Sequence, residues 1–221
     1  MKRIVIIVLS LFCASSALAT EWNLRLEKEE VLIESRKPEG AKYEEFRAST
    51  EVAASVAGAL ALLQDTDACV KWVFRCKESR TLREPSATER TFYQVTSLPF
   101  PAKSRDVIFL AKILYNDDQS VLVSMTAKPE AMKKTKHVRI EEANGFYLLE
   151  PLSDSRTRVT WQQYVDPAGA LPSWLVNGML TDLPFESLSA FRELVKQRPY
   201  ASSVMVYNPE GKPIDIRFEA E

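Results

Sequence analysis

Few residues in this chain have the types and spacing that chemistry needs. Its one histidine, His137, sits between Lys136 and Val138 on a predicted strand. Metal centres and nucleophilic triads draw on several His or Cys side chains, so a lone strand histidine reads as structural or surface. The six glycines are scattered, with no phosphate-cradling loop and no Gly-x-Ser-x-Gly elbow. Glu44-Glu45 and Glu141-Glu142 are adjacent pairs, which a strand sends to opposite faces. Asp117-Asp118 falls in a turn and reads as solvated. Two polar features inside apolar strands remain. Arg105-Asp106 opens the run Val107 to Leu114, either as an ion pair or turn anchor, or as a polar contact for a ligand head group. Gln163 shares a face with Trp161, and if that face is interior it needs a protein, water or ligand partner. No cofactor and no metal is expected.

The start of the chain bears on compartment. Met1-Lys2-Arg3, the apolar run Ile4 to Cys13 and the small-residue end Ala17-Leu18-Ala19 form a secretory leader, residues 1–19. The run is shorter than the roughly 20 residues of a membrane span. The mature chain is expected to be periplasmic or secreted and monomeric, one domain over 20–200 with a C-terminal extension over 201–221. The full chain carries 29 Lys+Arg against 30 Asp+Glu. Without a basic excess there is no sign of a nucleic-acid partner. Cys69 and Cys76 remain after the leader, and an exported chain with two cysteines favours a disulfide. Their spacing requires a bend around Lys71-Trp72-Val73, since in one straight element the α-carbons would lie beyond about 7 Å. Two buried free thiols are the alternative.

These residues must be positioned by a chain that is mostly strands. Trp22 to Leu26 reads as a short helix or extended lead-in. Val31 to Ser35 and Ala41 to Ala48 read as strands about the turn Lys37-Pro38-Glu39-Gly40. Thr50 can cap a helix beginning at Glu51, with Val52, Val56, Ala59, Leu60 and Leu63 on its apolar stripe. From Thr88 onward the segments 91–97, 106–115, 120–127, 136–142, 145–150 and 157–165 alternate as strands, joined by short turns that include Asn144-Gly145. After Asp166-Pro167-Ala168-Gly169, Pro172 is placed as a first helical residue. Leu171, Leu175, Met179 and Leu183 then follow at steps of four, and Phe185, Leu188, Phe191, Leu194 and Val195 continue the stripe. Pro184 predicts a kink or restart. Weak strand character marks 204–207 and 214–218. The sum is α+β: an antiparallel sheet of roughly eight or nine strands, wide enough to curl, with one long last helix.

The order of features resembles the START (steroidogenic-acute-regulatory-related lipid-transfer) family. The likeness runs from about Trp22 to Gln197. It rests on Tyr43-Glu44-Glu45-Phe46-Arg47-Ala48, Asp65 followed by Trp72, Ser104-Arg105-Asp106-Val107, Val138-Arg139, Glu150-Pro151-Leu152, and Asp166-Pro167 through Leu171-Pro172-Ser173-Trp174-Leu175-Val176-Asn177. The resemblance implies a helix-grip fold, in which a curved antiparallel sheet wraps a long C-terminal helix. It implies a tunnel for one lipid, such as a sterol or phospholipid, with the helix as lid. It also implies a non-enzymatic carrier or sensor that touches membranes transiently, although the wider superfamily includes cyclases and hydrolases. The chain departs from many animal members at Ala111, where they carry a second cavity arginine, which suggests a more apolar ligand or another polar anchor. The residues expected on the ligand wall are Leu175, Met179 and Leu183, with Trp161, Gln163 and Arg105. An enzyme on the same scaffold would need Asp106 or Glu150 as its acid or base.

Overall fold

The computed structural model describes residues 21–218; the expected leader, residues 1–19, lies outside them. Three strands open the chain: β1 (Asn23–Lys28), β2 (Val31–Arg36) and β3 (Glu45–Val52). Two short helices follow, α1 (Val56–Gln64) and α2 (Cys69–Trp72), joined by one 3-10 turn at Thr66–Ala68. Then come β4 (Cys76–Ser86), β5 (Glu89–Thr96), β6 (Arg105–Tyr115), β7 (Val121–Ala127), β8 (Val138–Arg139), β9 (Glu142–Ser153) and β10 (Arg156–Asp166). The long helix α3 (Ser173–Leu194) precedes a last hairpin, β11 (Ser203–Tyr207) and β12 (Pro213–Phe218). The main sheet has ten strands, ordered β1-β2-β3-β10-β9-β7-β6-β5-β4 with β8 added beside β6. Every neighbouring pair is antiparallel except β6–β8. The fold is the α+β helix grip that the sequence predicts.

Several local expectations are corrected. Thr50 does not cap a helix. It stays in β3, where its hydroxyl donates to the Glu30 carbonyl at 2.9 Å, and Ser55 caps α1 instead, accepting from Gly58 N. The alternation of buried and half-buried positions carries β3 on to Val52. Asn144-Gly145 is not a turn but lies inside β9, with Gly145 paired to Gln163. A Cβ on Gly145 would stand 2.3 Å from the Gln162 carbonyl oxygen, so the glycine serves a close strand approach. Of the expected strand over 136–142 only Val138–Arg139 forms β8, where Arg139 pairs with Asp106, and Glu142 already belongs to β9. Pro172 is the residue before α3 rather than its first, and Pro184 does not divide the helix. β4 had no counterpart in the sequence reading, since most of its residues are exposed and polar.

The core lies between the concave sheet face and α3. Leu188, Phe191 and Val195 of α3 are fully buried there with Ile33, Leu149 and Val159 of the sheet. Phe191 meets the edge of Trp72 at 5.0 Å, Trp72 meets Tyr147 at 6.2 Å, and Tyr147 stacks on Trp161 at 5.1 Å. The Cys69–Cys76 disulfide is formed, with α-carbons 6.0 Å apart, and ties α2 to the start of β4. Arg192 ties α3 to the β1–β2 turn, donating to the Glu29 carbonyl and the Glu30 carboxylate.

Helix α1 is buried from Val56 through Leu62, all round rather than on one stripe. The C-terminal hairpin lies against it, with Met205 and Ile216 packed on the core. Gly58 lets the chain at Tyr200 come close: a Cβ there would lie 2.9 Å from the Tyr200 carbonyl oxygen. The Tyr200 hydroxyl donates to Asp65 at 2.6 Å. The extension is thus a structural layer. Truncation after Ser202 should lower Tm by roughly 10 °C, from about 3 kcal/mol of lost apolar burial. Thermal denaturation of the truncated chain checks this, and an unchanged Tm would contradict it.

Candidate functional site

A cavity lies between the early half of α3, the concave sheet face and the α1–α2 segment. Its walls are mainly apolar: Trp72, Phe92, Phe109, Val123, Met125 and Tyr147 among them. It encloses about 130 Å³. Ligand sites commonly run from about 300 Å³, so admitting a lipid requires the wall to move outward. The two halves of α3 are bonded differently. After Pro184 the helix is held by buried Leu188, Phe191 and Val195, by Arg192, and by Ser187, whose hydroxyl accepts from Phe74 N at 2.9 Å. Among the described residues, no side-chain hydrogen bond joins Trp174 to Leu183 to another element.

The expected wall residues are distributed as follows. Met179 and Leu183 reach the cavity from α3, and Trp161 and Gln163 from β10. Successive same-face positions of β10 put the last two side by side, and the Trp161 indole N–H donates to Gln163 Oε1 at 3.0 Å. Leu175 faces a smaller neighbouring cavity of about 80 Å³, shared with Phe74, Leu98 and Trp174. Arg105 also lines the large cavity, and it is buried. Its nitrogens donate to the carbonyls of Pro167 and Ala168, each at 3.0 Å, and of Lys103. It therefore latches the β10–α3 connection, where Ala168 and Gly169 have φ of 55° and 68°. Burial holds the Arg105 pKa below the usual arginine value. Cys69 contributes to the wall through its disulfide.

Arg105 and Asp106 do not pair with each other. Asp106 is fully buried and accepts from Arg139 at 2.9 and 3.1 Å, from Thr135 at 2.7 Å and from Tyr93 at 3.3 Å. Burial alone would raise its pKa, but the bonds from Arg139 and Thr135 outweigh it and hold the carboxyl below its usual value. Neither Asp106 nor Glu150 is among the residues lining the cavity. Tyr147, Trp72, Phe109 and Met125 escaped the sequence reading. Tyr147 shares the period-two alternation of Leu149, a signal that could have singled it out.

At the far end of the cavity Arg90 closes the wall, donating to the Gln64 carbonyl at the end of α1 and pairing with Glu84. No group of His, Cys, Asp or Glu among the described residues is arranged to hold a metal ion. No helix among them is long and apolar enough to cross a membrane.

The chain belongs to the START domain family, whose model matches residues 16–198. It is 30% identical over 186 residues to an uncharacterized protein of Pseudomonas aeruginosa, covering 84% of this chain and 92% of that one. The structure of a STAR-related lipid transfer protein from Xanthomonas axonopodis superposes with a TM-score of 0.74 at 30% identity, over 80% of this chain and 99% of that one. Human StAR-related lipid transfer protein 5 shares the fold, with a TM-score of 0.70 at 18% identity over 80% and 86% of the two chains. This membership, with lipid-transfer proteins among its neighbours, supports lipid binding in general.

The Asp106 network makes a prediction about acid stability. A carboxyl whose folded pKa lies below its unfolded value of about 3.9 stabilises the fold above that pH. The contribution is lost as pH falls through the lower, folded value. Denaturant titrations should show stability dropping below about pH 4. Asp106→Asn should cost roughly 3–5 kcal/mol at pH 7, since it leaves Arg139 buried without its partner. A wild-type-like midpoint for that variant would contradict the assignment.

Proposed function

We propose that the protein is an exported lipid carrier or sensor of the cell envelope, holding one hydrophobic molecule in this cavity and exchanging it by outward movement of early α3. The observation that carries the reading is the pairing of an apolar cavity with a helix whose side-chain hydrogen bonds to other elements, among the described residues, all lie in its later half. The leader-like residues 1–19 support a periplasmic or secreted site of action. Gly178 and Pro184 are the points of give along α3. A carrier is preferred to a cyclase or hydrolase because Asp106 and Glu150 are not in the cavity lining, and the acids that do line it, Asp65, Glu84 and Glu89, are engaged by Tyr200, Arg90 and Lys112.

Membrane contact is assigned to the cavity end nearest α3. Phe100 is 95% exposed in the β5–β6 connection, two residues beyond Leu98, and Trp174 is 64% exposed on the first turn of α3. Leu98 and Trp174 line the same small cavity, which supports putting the two exposed aromatics on one side of the molecule. Aromatic side chains with one wet edge suit a bilayer interface. Lys103 and Arg75 lie close in sequence to this rim and favour anionic lipid.

The test is uptake of a fluorescent sterol and a fluorescent phospholipid, followed by transfer from donor to acceptor vesicles. Uptake of at least one probe is expected. Phe100→Ser with Trp174→Ser should slow transfer about tenfold, as expected for roughly 1.5 kcal/mol of lost insertion, while equilibrium uptake stays unchanged. Failure to take up either probe would contradict the proposal.

A further inference from the structure

Two side chains in the cavity wall carry polar atoms that the protein leaves unused. Gln163 is 7% exposed and Tyr147 6% exposed, and both line the large cavity. The indole nitrogen of Trp161 can only donate, so the Gln163 amide atom facing it is the oxygen. That orients the amide and turns its NH₂ group away from Trp161. No described residue accepts from that nitrogen, and none bonds the Tyr147 hydroxyl. Neither atom is sealed inside the wall, whereas Trp72 Nε1 and Gln64 Nε2 are.

Strand pairing keeps the place open. Tyr147 lies opposite Trp161 across β9–β10, and Gly145 lies opposite Gln163. The close approach at Gly145 excludes any side chain, so β9 sets nothing beside the amide. The stack of Tyr147 on Trp161 fixes the phenol ring, and Trp161 fixes the amide. The pair is therefore held in place before any ligand arrives. Burial keeps the Tyr147 hydroxyl protonated, far above the usual tyrosine range.

The ionised groups in the same wall are already engaged. Arg105 is spent on three backbone carbonyls. Asp65 caps the turn after α1 and accepts from Tyr200, Glu84 is paired with Arg90, and Glu89 with Lys112. Nothing charged is left over to meet a charged head group deep in the cavity. An amide NH₂ in an apolar wall calls for an oxygen, and leaving it without one is costly.

We propose that Gln163 and Tyr147 form the polar recognition point of the cavity, and that it selects an uncharged lipid bearing a carbonyl, ester or ether oxygen on an apolar body. This rests on the lipid-carrier reading and gives it a ligand class. Gln163 donates to that oxygen and Tyr147 supplies a second hydrogen bond beside it. The aromatic faces of Trp161 and Trp72 and the side chains of Met179 and Leu183 take up the hydrocarbon.

Three probes of equal chain length test it by competition against a bound fluorescent lipid at pH 8: hexadecane, methyl palmitate and palmitate. The full chain should favour methyl palmitate over both others. Gln163→Glu keeps an oxygen facing Trp161 but replaces the donor by an acceptor. Tyr147→Phe keeps the stacked ring. The methyl palmitate to hexadecane affinity ratio should fall about tenfold in Gln163→Glu and about threefold in Tyr147→Phe, the worth of one hydrogen bond. Hexadecane affinity and Tm should stay unchanged in Tyr147→Phe. A ratio unaltered in both variants would overturn the assignment, as would tighter binding of palmitate than of its ester, which would put an anion on Arg105. Binding of hexadecane without preference, or displacement by none of the three, would remove this inference alone, whereas failure of the fluorescent lipid itself to bind would remove the carrier reading with it.

Discussion

The edge contact of Phe191 with Trp72 holds together the three parts of the molecule that enclose the cavity. Phe191 belongs to the closing helix, Trp72 to the short helix pinned by the Cys69–Cys76 disulfide, and Trp72 in turn meets Tyr147 on the sheet. Aromatic pairs in this geometry add about 0.5–1.5 kcal/mol each beyond their buried area. The chain of rings continues through Trp161 to Phe46, so the concave face is stiff along one line from α3 to β3. Everything on the late side of that line is close-packed. On the early side of α3, Met179 and Leu183 border the cavity.

That asymmetry gives the helix two functions along one length. Leu188, Phe191 and Val195 have no exposed surface and make the late half part of the core. Met179 and Leu183 are only half-buried and face the cavity. At about 130 Å³ the cavity is smaller than a lipid, so the volume must come from displacing something. In the proposed carrier the early half of α3 is the element that moves: among the described residues it has no side-chain hydrogen bonds to other elements, and the positive-φ pair Ala168-Gly169 precedes it. Arg105 latches that connection through the Pro167 and Ala168 carbonyls.

Much of the fold was legible because burial leaves a period. Val159, Trp161 and Gln163 alternate as one face of a strand does, and Met179 and Leu183 stand four apart as one side of a helix does. What stayed hidden had other causes. β4 is mostly exposed and carries no apolar alternation, so its Lys, Glu and Arg residues resemble a loop. Asn144-Gly145 has turn chemistry, yet the glycine answers to the neighbouring strand rather than to its own. Asp106 pairs with a residue 33 positions away rather than with adjacent Arg105, a choice only tertiary structure makes. The unused donor of Gln163 was half legible: the sequence showed a polar residue on an inward face, and the structure shows which of its atoms is spoken for.

The central claim is that the space beneath early α3 is a lipid site and not a packing defect. Native mass spectrometry of the chain, purified without detergent and then incubated with a total lipid extract, addresses it most directly. The account predicts one lipid per chain, with a charge-state distribution as compact as that of the lipid-free protein. Bare protein mass before and after incubation would contradict it and leave a module whose core is simply full.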